Sequence, residues 1–251
     1  MDKKLKILEL FAGSRCFAKE AERLGHETFS SDILALEGID YAVDIFEFEC
    51  NRVPFIPDLI WASPDCSAWS RAAGKIHFEG SGIAKPKTEK AKKAFLMIEK
   101  TLEIIAYFLL LNPDLRFYIE NPVGKLQYVD FMRPDEMFCN PIIKRMVRID
   151  QCQYGREYMK PTHIWTNDLV WKERGKCKGR HNGCTHLENI KDVGDKYDRV
   201  VKQLLPGTTK NLLNGKRRSS LGILDNGGYY KRAAIPAELC REIIEIQVIK
   251  N

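Results

Sequence analysis

LKILELFAGSRCFAKEAERLG, residues 5–25, decides the architecture of this chain. Its first six residues are mostly apolar, as in a parallel strand covered on both faces. Phe11-Ala12-Gly13-Ser14 then reads as a turn. Residues 16–24 place Phe17, Ala18, Ala21 and Leu24 at helical spacing, and Gly25 stops the helix. Strand, glycine turn and helix open a βαβ unit. Further apolar strands are predicted at 27–31, 41–43, 59–62 and 117–119. They end at Asp32, at Asp44, at Pro64-Asp65-Cys66 and at Glu120-Asn121. A long helical pattern covers 90–111. Alternating strands and helices predict a doubly wound, mostly parallel, Rossmann-like α/β sheet with a small inserted second domain. The ligands of such a sheet collect at the carboxyl ends of its strands, so these polar residues share one rim.

The 251 residues, 44% of them hydrophobic, suffice for one such domain and a small appendage. No apolar run spans a bilayer and no leader is apparent, so a soluble cytoplasmic protein is expected, with its eight cysteines reduced. The net charge of +6 is unevenly placed. Residues 160–232 carry 16 Lys/Arg against 7 Asp/Glu, a local +9, which leaves −3 elsewhere. Such a basic segment suits a polyanion, although a solvated surface has the same composition. The βα rhythm fails from about 171 to 230. The expected division is therefore a catalytic body over 1–170, a small basic insert over 171–230, and a C-terminal helix over 231–251 that returns to the body. Residues 76–93, rich in Gly, Pro and Lys, read as a mobile loop closing over a substrate.

The first turn is not a GxGxxG loop. With Gly13 alone it lacks the close backbone approach that a pyrophosphate needs, which argues against a dinucleotide. A nucleoside without pyrophosphate still fits: Asp32 can accept both ribose hydroxyls and Asp44 an adenine amine. S-adenosylmethionine has that anatomy. Phe11, Gly13, Ile33, Ile45 and Pro64 complete the expected cofactor pocket.

WASPDCSAWS, residues 61–70, places Cys66 just beyond the end of an apolar strand, where a structural cysteine would not normally sit. From here the order of parts is recognisable. LELFAGSRCFAKEAERLG, then Asp32, Asp44, SPDCSAWS, YIENP and YGREYMKPTHIWTN resemble, in sequence, the successive motifs of the DNA (cytosine-5) methyltransferases, phage- or bacteria-like in their small recognition region. The resemblance covers roughly residues 5–167 and the final helix. It implies that Cys66 is the nucleophile adding to cytosine carbon 6 and that Glu120 stabilises charge at ring nitrogen 3; Lys160, where the family's eighth motif usually carries arginines, is the candidate cation near the pyrimidine carbonyl or a phosphate. It also implies S-adenosylmethionine as donor, a flipped base, double-stranded DNA as partner, and Ser70 close to that DNA.

Some residues depart from the family pattern. Asp65 replaces a proline, and a carboxylate there raises a neighbouring thiol's pKa. Arg15 and Cys16 stand where glycines are usual, and Arg232 and Ala233 replace the glycine and asparagine of the last motif. These extra cations raise the idea of a donor carrying an added anionic group. In the insert, Cys177, His181, Cys184 and His186 are spaced so that they can close a zinc tetrahedron, with Cys152 as a substitute, although ordinary surface residues give the same pattern. Arg174, Arg180, Lys216, Arg217 and Arg218 are the candidate phosphate or guanine contacts. The expected protein is a monomeric DNA cytosine-5 methyltransferase of restriction-modification type. Its rivals are an RNA enzyme, an enzyme transferring a modified group, and a catalytically silent nucleic-acid-binding protein.

Overall fold

A computed structural model describes residues 3–71, 73–80, 82, 84–134, 140–156, 159–178, 208–210, 217–219 and 234–249. Its centre is a seven-stranded sheet of β1 (Lys6–Leu10), β2 (Glu27–Asp32), β3 (Tyr41–Ala42), β4 (Leu59–Ala62), β7 (Arg116–Pro122), β8 (Arg145–Asp150) and β9 (Pro161–Thr166), in spatial order β3-β2-β1-β4-β7-β9-β8. β1 pairs in parallel with β2 and β4, and β4 with β7. β9 is antiparallel to both of its neighbours, so it alone is reversed. The expected doubly wound, Rossmann-like sheet forms.

β4 explains why it forms. Leu59, Ile60, Trp61 and Ala62 are all fully buried, because this strand has a neighbour on each side and a hydrophobic layer on each face. One layer is α3 (Glu89–Leu111), whose Ile98, Leu102, Ile105 and Phe108 pack over Leu8, Ile60, Phe117 and Ile119. The other consists of α1 (Cys16–Arg23) and the C-terminal α4 (Ala237–Ile249), which set Phe17, Ala21, Leu239, Ile243 and Ile244 on Ile7, Leu59, Trp61 and Tyr118. Phe17 stacks on Trp61 with ring centroids 4.8 Å apart. Each such buried side chain contributes about 1.5–3 kcal/mol. Helix ends follow from local chemistry. Thr88 caps α3 by accepting from Ala91 N at 3.2 Å. Arg15 precedes α1 without a side-chain cap, and Glu9 from β1 takes over by accepting from Phe17 N and Ala18 N at 3.2 and 2.9 Å.

Every strand read from sequence is present, and two features differ from expectation. β8 and β9 are additional. The loop expected over 76–93 instead contains the end of a short helical turn, α2 (Gly74–His77), an antiparallel pair β5 (Phe78–Glu79) and β6 (Lys85–Pro86), and the first turn of α3. Packing onto the sheet also continues past residue 170: Trp171 is fully buried and packs edge-on against Tyr118 at 5.8 Å. Asp150 at the end of β8 accepts from Cys177 N at 2.8 Å. Between residues 179 and 233 the structure describes only the antiparallel pair of β10 (Thr208–Lys210) and β11 (Arg217–Ser219). Among the described residues no helix is long and apolar enough to cross a membrane, and Cys16, Cys50, Cys66 and Cys240 are free thiols.

Candidate active site

At the carboxyl ends of β1 to β4 lies a cavity of about 240 Å³. Its walls include Phe11, Gly13, Asp32, Ile33, Asp44 and Ile45, six of the seven residues expected to hold a cofactor. The seventh, Pro64, is buried between two other wall residues, Ser63 and Asp65. Asp32 Oδ2 accepts from Gly13 N at 2.8 Å and Oδ1 from Leu34 N at 3.0 Å, which ties the first turn to the end of β2. Each oxygen keeps a lone pair for a ribose hydroxyl. Asp44 Oδ1 accepts from Phe46 N, and Lys93 Nζ stands 3.7 Å from Oδ2. Phe11 and Arg15 bracket the turn with φ of 56° and 57°, a conformation that costs a non-glycine residue free energy and persists where the surroundings enforce it. Two carboxylates at adjacent strand ends, one beside a glycine turn, fit an adenosyl group. The Arg15 guanidinium faces away from this use: it bonds Ser30 Oγ at 3.1 Å and pairs with Glu22. It therefore lends nothing to the idea of an anionic donor.

Cys66 follows β4 at the rim and is half-buried. Its carbonyl accepts from Trp69 N and Ser70 N at 3.1 and 3.0 Å, closing one helical turn. Asn121 Nδ2 donates to Pro64 O at 2.9 Å, fastening this loop to the end of β7. Burial is the main cause of a thiol pKa pushed up to about 11. Glu120 adds to the rise, Lys160 opposes it, and Asp65 adds a smaller amount. Asp65 contributes little because it is exposed and accepts from Ser67 N and Oγ.

Glu120 is 4% exposed. Its Oε1 accepts from Gln151 Nε2 at 3.2 Å and pairs with Lys160 Nζ at 3.3 Å, while Oε2 has no partner among the described residues. Cys66, Glu120 and Lys160 therefore share one site. Gln151 and Arg156 complete it without having been anticipated. Gln151 Nε2 also donates to Thr162 Oγ1 at 3.0 Å. Arg156 Nη1 donates to Gln151 Oε1 and to Ala234 O, both at 2.6 Å, and Ala234 lines the cofactor cavity. No sequence signal marks Gln151, whose role arises only once β8 and β9 bring it under Glu120. Glu9, a wall residue of the cavity, is also unforeseen: burial pushes its carboxyl up to about 7 against the lowering effect of its backbone hydrogen bonds.

The nucleic-acid candidates fare differently. Ser70 is half-buried and bridges to Gly124, where a Cβ would stand 2.1 Å from Trp69 O and only glycine fits. Arg174 is engaged within the chain. Its guanidinium pairs with Glu242 at 2.8 Å and Glu238 at 3.1 Å, donates to Gln153 O and lies 4.7 Å over the Tyr154 ring. It clamps the chain to α4. Arg217 and Arg218 fall in β11, described only as backbone, and Arg180 and Lys216 lie outside the described residues. Of the zinc candidates, Cys177 is half-buried, whereas His181, Cys184 and His186 lie outside the described residues. Among the described residues no three His, Cys, Asp or Glu form a metal-binding group.

A mostly parallel sheet with one reversed strand near its edge, opening on a carboxylate-lined cavity, is the class I methyltransferase fold. No protein-family profile matches the chain, and no curated protein matches it. Solved structures do. A triple variant of Spodoptera frugiperda DNMT2 matches with TM-score 0.42 and 15% identity over 72% of this chain and 57% of that one. The S. pombe Dnmt2 methyltransferase matches with 0.42 and 15% over 69% and 52%. The Entamoeba histolytica methyltransferase EhMeth matches with 0.41 and 12% over 68% and 55%. The chain thus spans little more than half the length of these proteins, and at such identities the likeness concerns the fold.

Proposed function

We propose that this chain is an S-adenosylmethionine-dependent cytosine-5 methyltransferase acting on double-stranded DNA. One observation carries the reading: the Cys66 thiol shares a rim site with Glu120 and Lys160, beside a cavity suited to an adenosyl group. Asp32 and Asp44 would hold the donor's ribose and adenine, with Phe11 and Ile45 on its apolar faces. When bound, S-adenosylmethionine supplies an electrophilic methyl group. Carbon 5 of cytosine is too poor a nucleophile to take it unaided, so a thiolate must first add to carbon 6.

Cys66 performs that addition after losing its proton. A thiol with a pKa near 11 is protonated at neutral pH, so attack waits until substrate enters: the proton the thiol gives up is then taken by Glu120, which delivers it to ring nitrogen 3 as sulfur adds to carbon 6. That removes the second-largest cause of the high pKa and leaves Lys160 to favour the thiolate. Glu120 has Oε2 available for the base, while Gln151 and Lys160 hold Oε1 in place. Lys160 is held in turn by its backbone, whose carbonyl accepts from Gln151 N at 3.1 Å. The base must leave the stack to reach this site, at a cost of about a few kcal/mol.

The test is mass spectrometry of nucleosides from DNA and from RNA treated with the enzyme and with Cys66→Ser. Methylation of cytosine in DNA, lost by more than about a thousandfold in Cys66→Ser, is expected. Transfer that survives in Cys66→Ser refutes the mechanism. Product in RNA alone transfers the mechanism to the other nucleic acid, and no product in either leaves a binding protein.

A further inference from the structure

Asn121, His163 and Arg148 sit side by side on β7, β9 and β8, with His163 in register with both of the others. Cross-strand partners project to the same face. Here it is the α3 face, since Ile119 and Trp165, each two residues along the same strands, belong to that core. Asn121 is fully buried and His163 is 4% exposed. Asn121 uses its Nδ2 on Pro64 O, yet among the described residues its Oδ1 has no hydrogen-bond partner, and neither has His163 Nδ1. Buried polar atoms are rarely left unpaired in native proteins. These two are complementary, because an amide oxygen only accepts and one imidazole tautomer donates from Nδ1. Burial, with the nearby Arg148 and Arg71, pushes the His163 pKa down to about 4, so the ring is neutral near pH 7 and carries one N–H.

We propose that His163 is a positioning residue for the nucleophile loop: its Nδ1–H donates to Asn121 Oδ1, directly or through one water, and so keeps the amide turned with Nδ2 on the Pro64 carbonyl, two residues before Cys66. The link runs from β9 through β7 to the loop carrying the sulfur. Trp165 Nε1 also lacks a partner among the described residues, but Trp165 stands opposite Ile119, one pleat farther down. The consequence for transfer rests on the function proposed above; the consequence for the loop does not.

The experiment measures the rate at which iodoacetamide alkylates Cys66 near pH 8, followed on the Cys66 peptide, with no donor or nucleic acid present. Freeing the loop exposes a thiol whose pKa is raised mainly by burial, so alkylation should accelerate about three- to tenfold in His163→Gln and His163→Phe. Asparagine can place an N–H near the Nδ1 position, so His163→Asn should stay within about twofold of the parent rate. In an Asn121→Ala background, His163→Gln should add nothing, since the link is already cut. In a transfer assay kcat should fall in parallel while KM for the donor stays put. Equal rates in all three His163 variants, multiplying effects in the double variant, or an acceleration in Trp165→Phe with none in His163→Gln would each overturn the proposal. A parent protein that transfers nothing while keeping this alkylation pattern would contradict the methyltransferase reading and leave the positioning link standing.

Discussion

A thiol held at a pKa near 11 makes a definite kinetic forecast. Only the thiolate reacts, so in the free protein the alkylation rate of Cys66 should rise about tenfold per pH unit from 7 to 10 without a plateau. A plateau near pH 8.5 would mean an unperturbed cysteine. Glu120→Gln retains the shape and the contact from Lys160 but removes the negative charge, the second cause of the shift. It should therefore bring the Cys66 titration down while slowing transfer by about 10²- to 10⁴-fold. These opposite directions separate a group that acts on substrate from one that merely tunes the thiol.

Glu9 and Arg174 show what elements demand of single side chains. Glu9 caps α1 from a neighbouring strand at the cost of a buried carboxylate. Its folded pKa of about 7 lies above the unfolded value of about 4.5, so the native state binds the extra proton between those values. Stability should fall as pH rises from 4.5 through 7, by about 3 kcal/mol attributable to this group. Urea unfolding at pH 5 and pH 8 should show that loss in the parent and not in Glu9→Gln. Arg174→Ala should cost about 1 kcal/mol of stability, measured the same way, and leave the salt dependence of DNA binding unchanged; a shallower salt slope would return Arg174 to the phosphate-binding set. At this scale the missed strands have a physical reason. β8 carries Arg145 and Arg148, and β9 opens on Pro161 and includes His163, so neither looked like the continuous apolar run that marked β1 and β4. Their burial comes from tertiary partners. Trp171, for instance, covers one face and receives Arg145 over its ring at 5.8 Å.

Across the whole molecule, the legible part of the site was the part built from strand ends. Asp32, Asp44, Cys66 and Glu120 each terminate an apolar run, and a doubly wound sheet brings such termini together whatever lies between them. What could not be read depends on β9 running backwards between β7 and β8. The reversal places Lys160 and Thr162 beside Glu120 and sets His163 against Asn121, and no local pattern announces it. The partners of Arg174 were illegible for a similar reason: a cation in a basic stretch looks free until α4 supplies Glu238 and Glu242. The central claim is that the Cys66 sulfur bonds to a pyrimidine ring. It is tested most directly with S-adenosylmethionine and double-stranded DNA containing 5-fluorocytosine, where fluorine at carbon 5 blocks the final proton removal and traps the adduct. Peptide mapping should find the nucleotide attached to Cys66. DNA and donor bound with no adduct, or an adduct on another cysteine, would contradict the account.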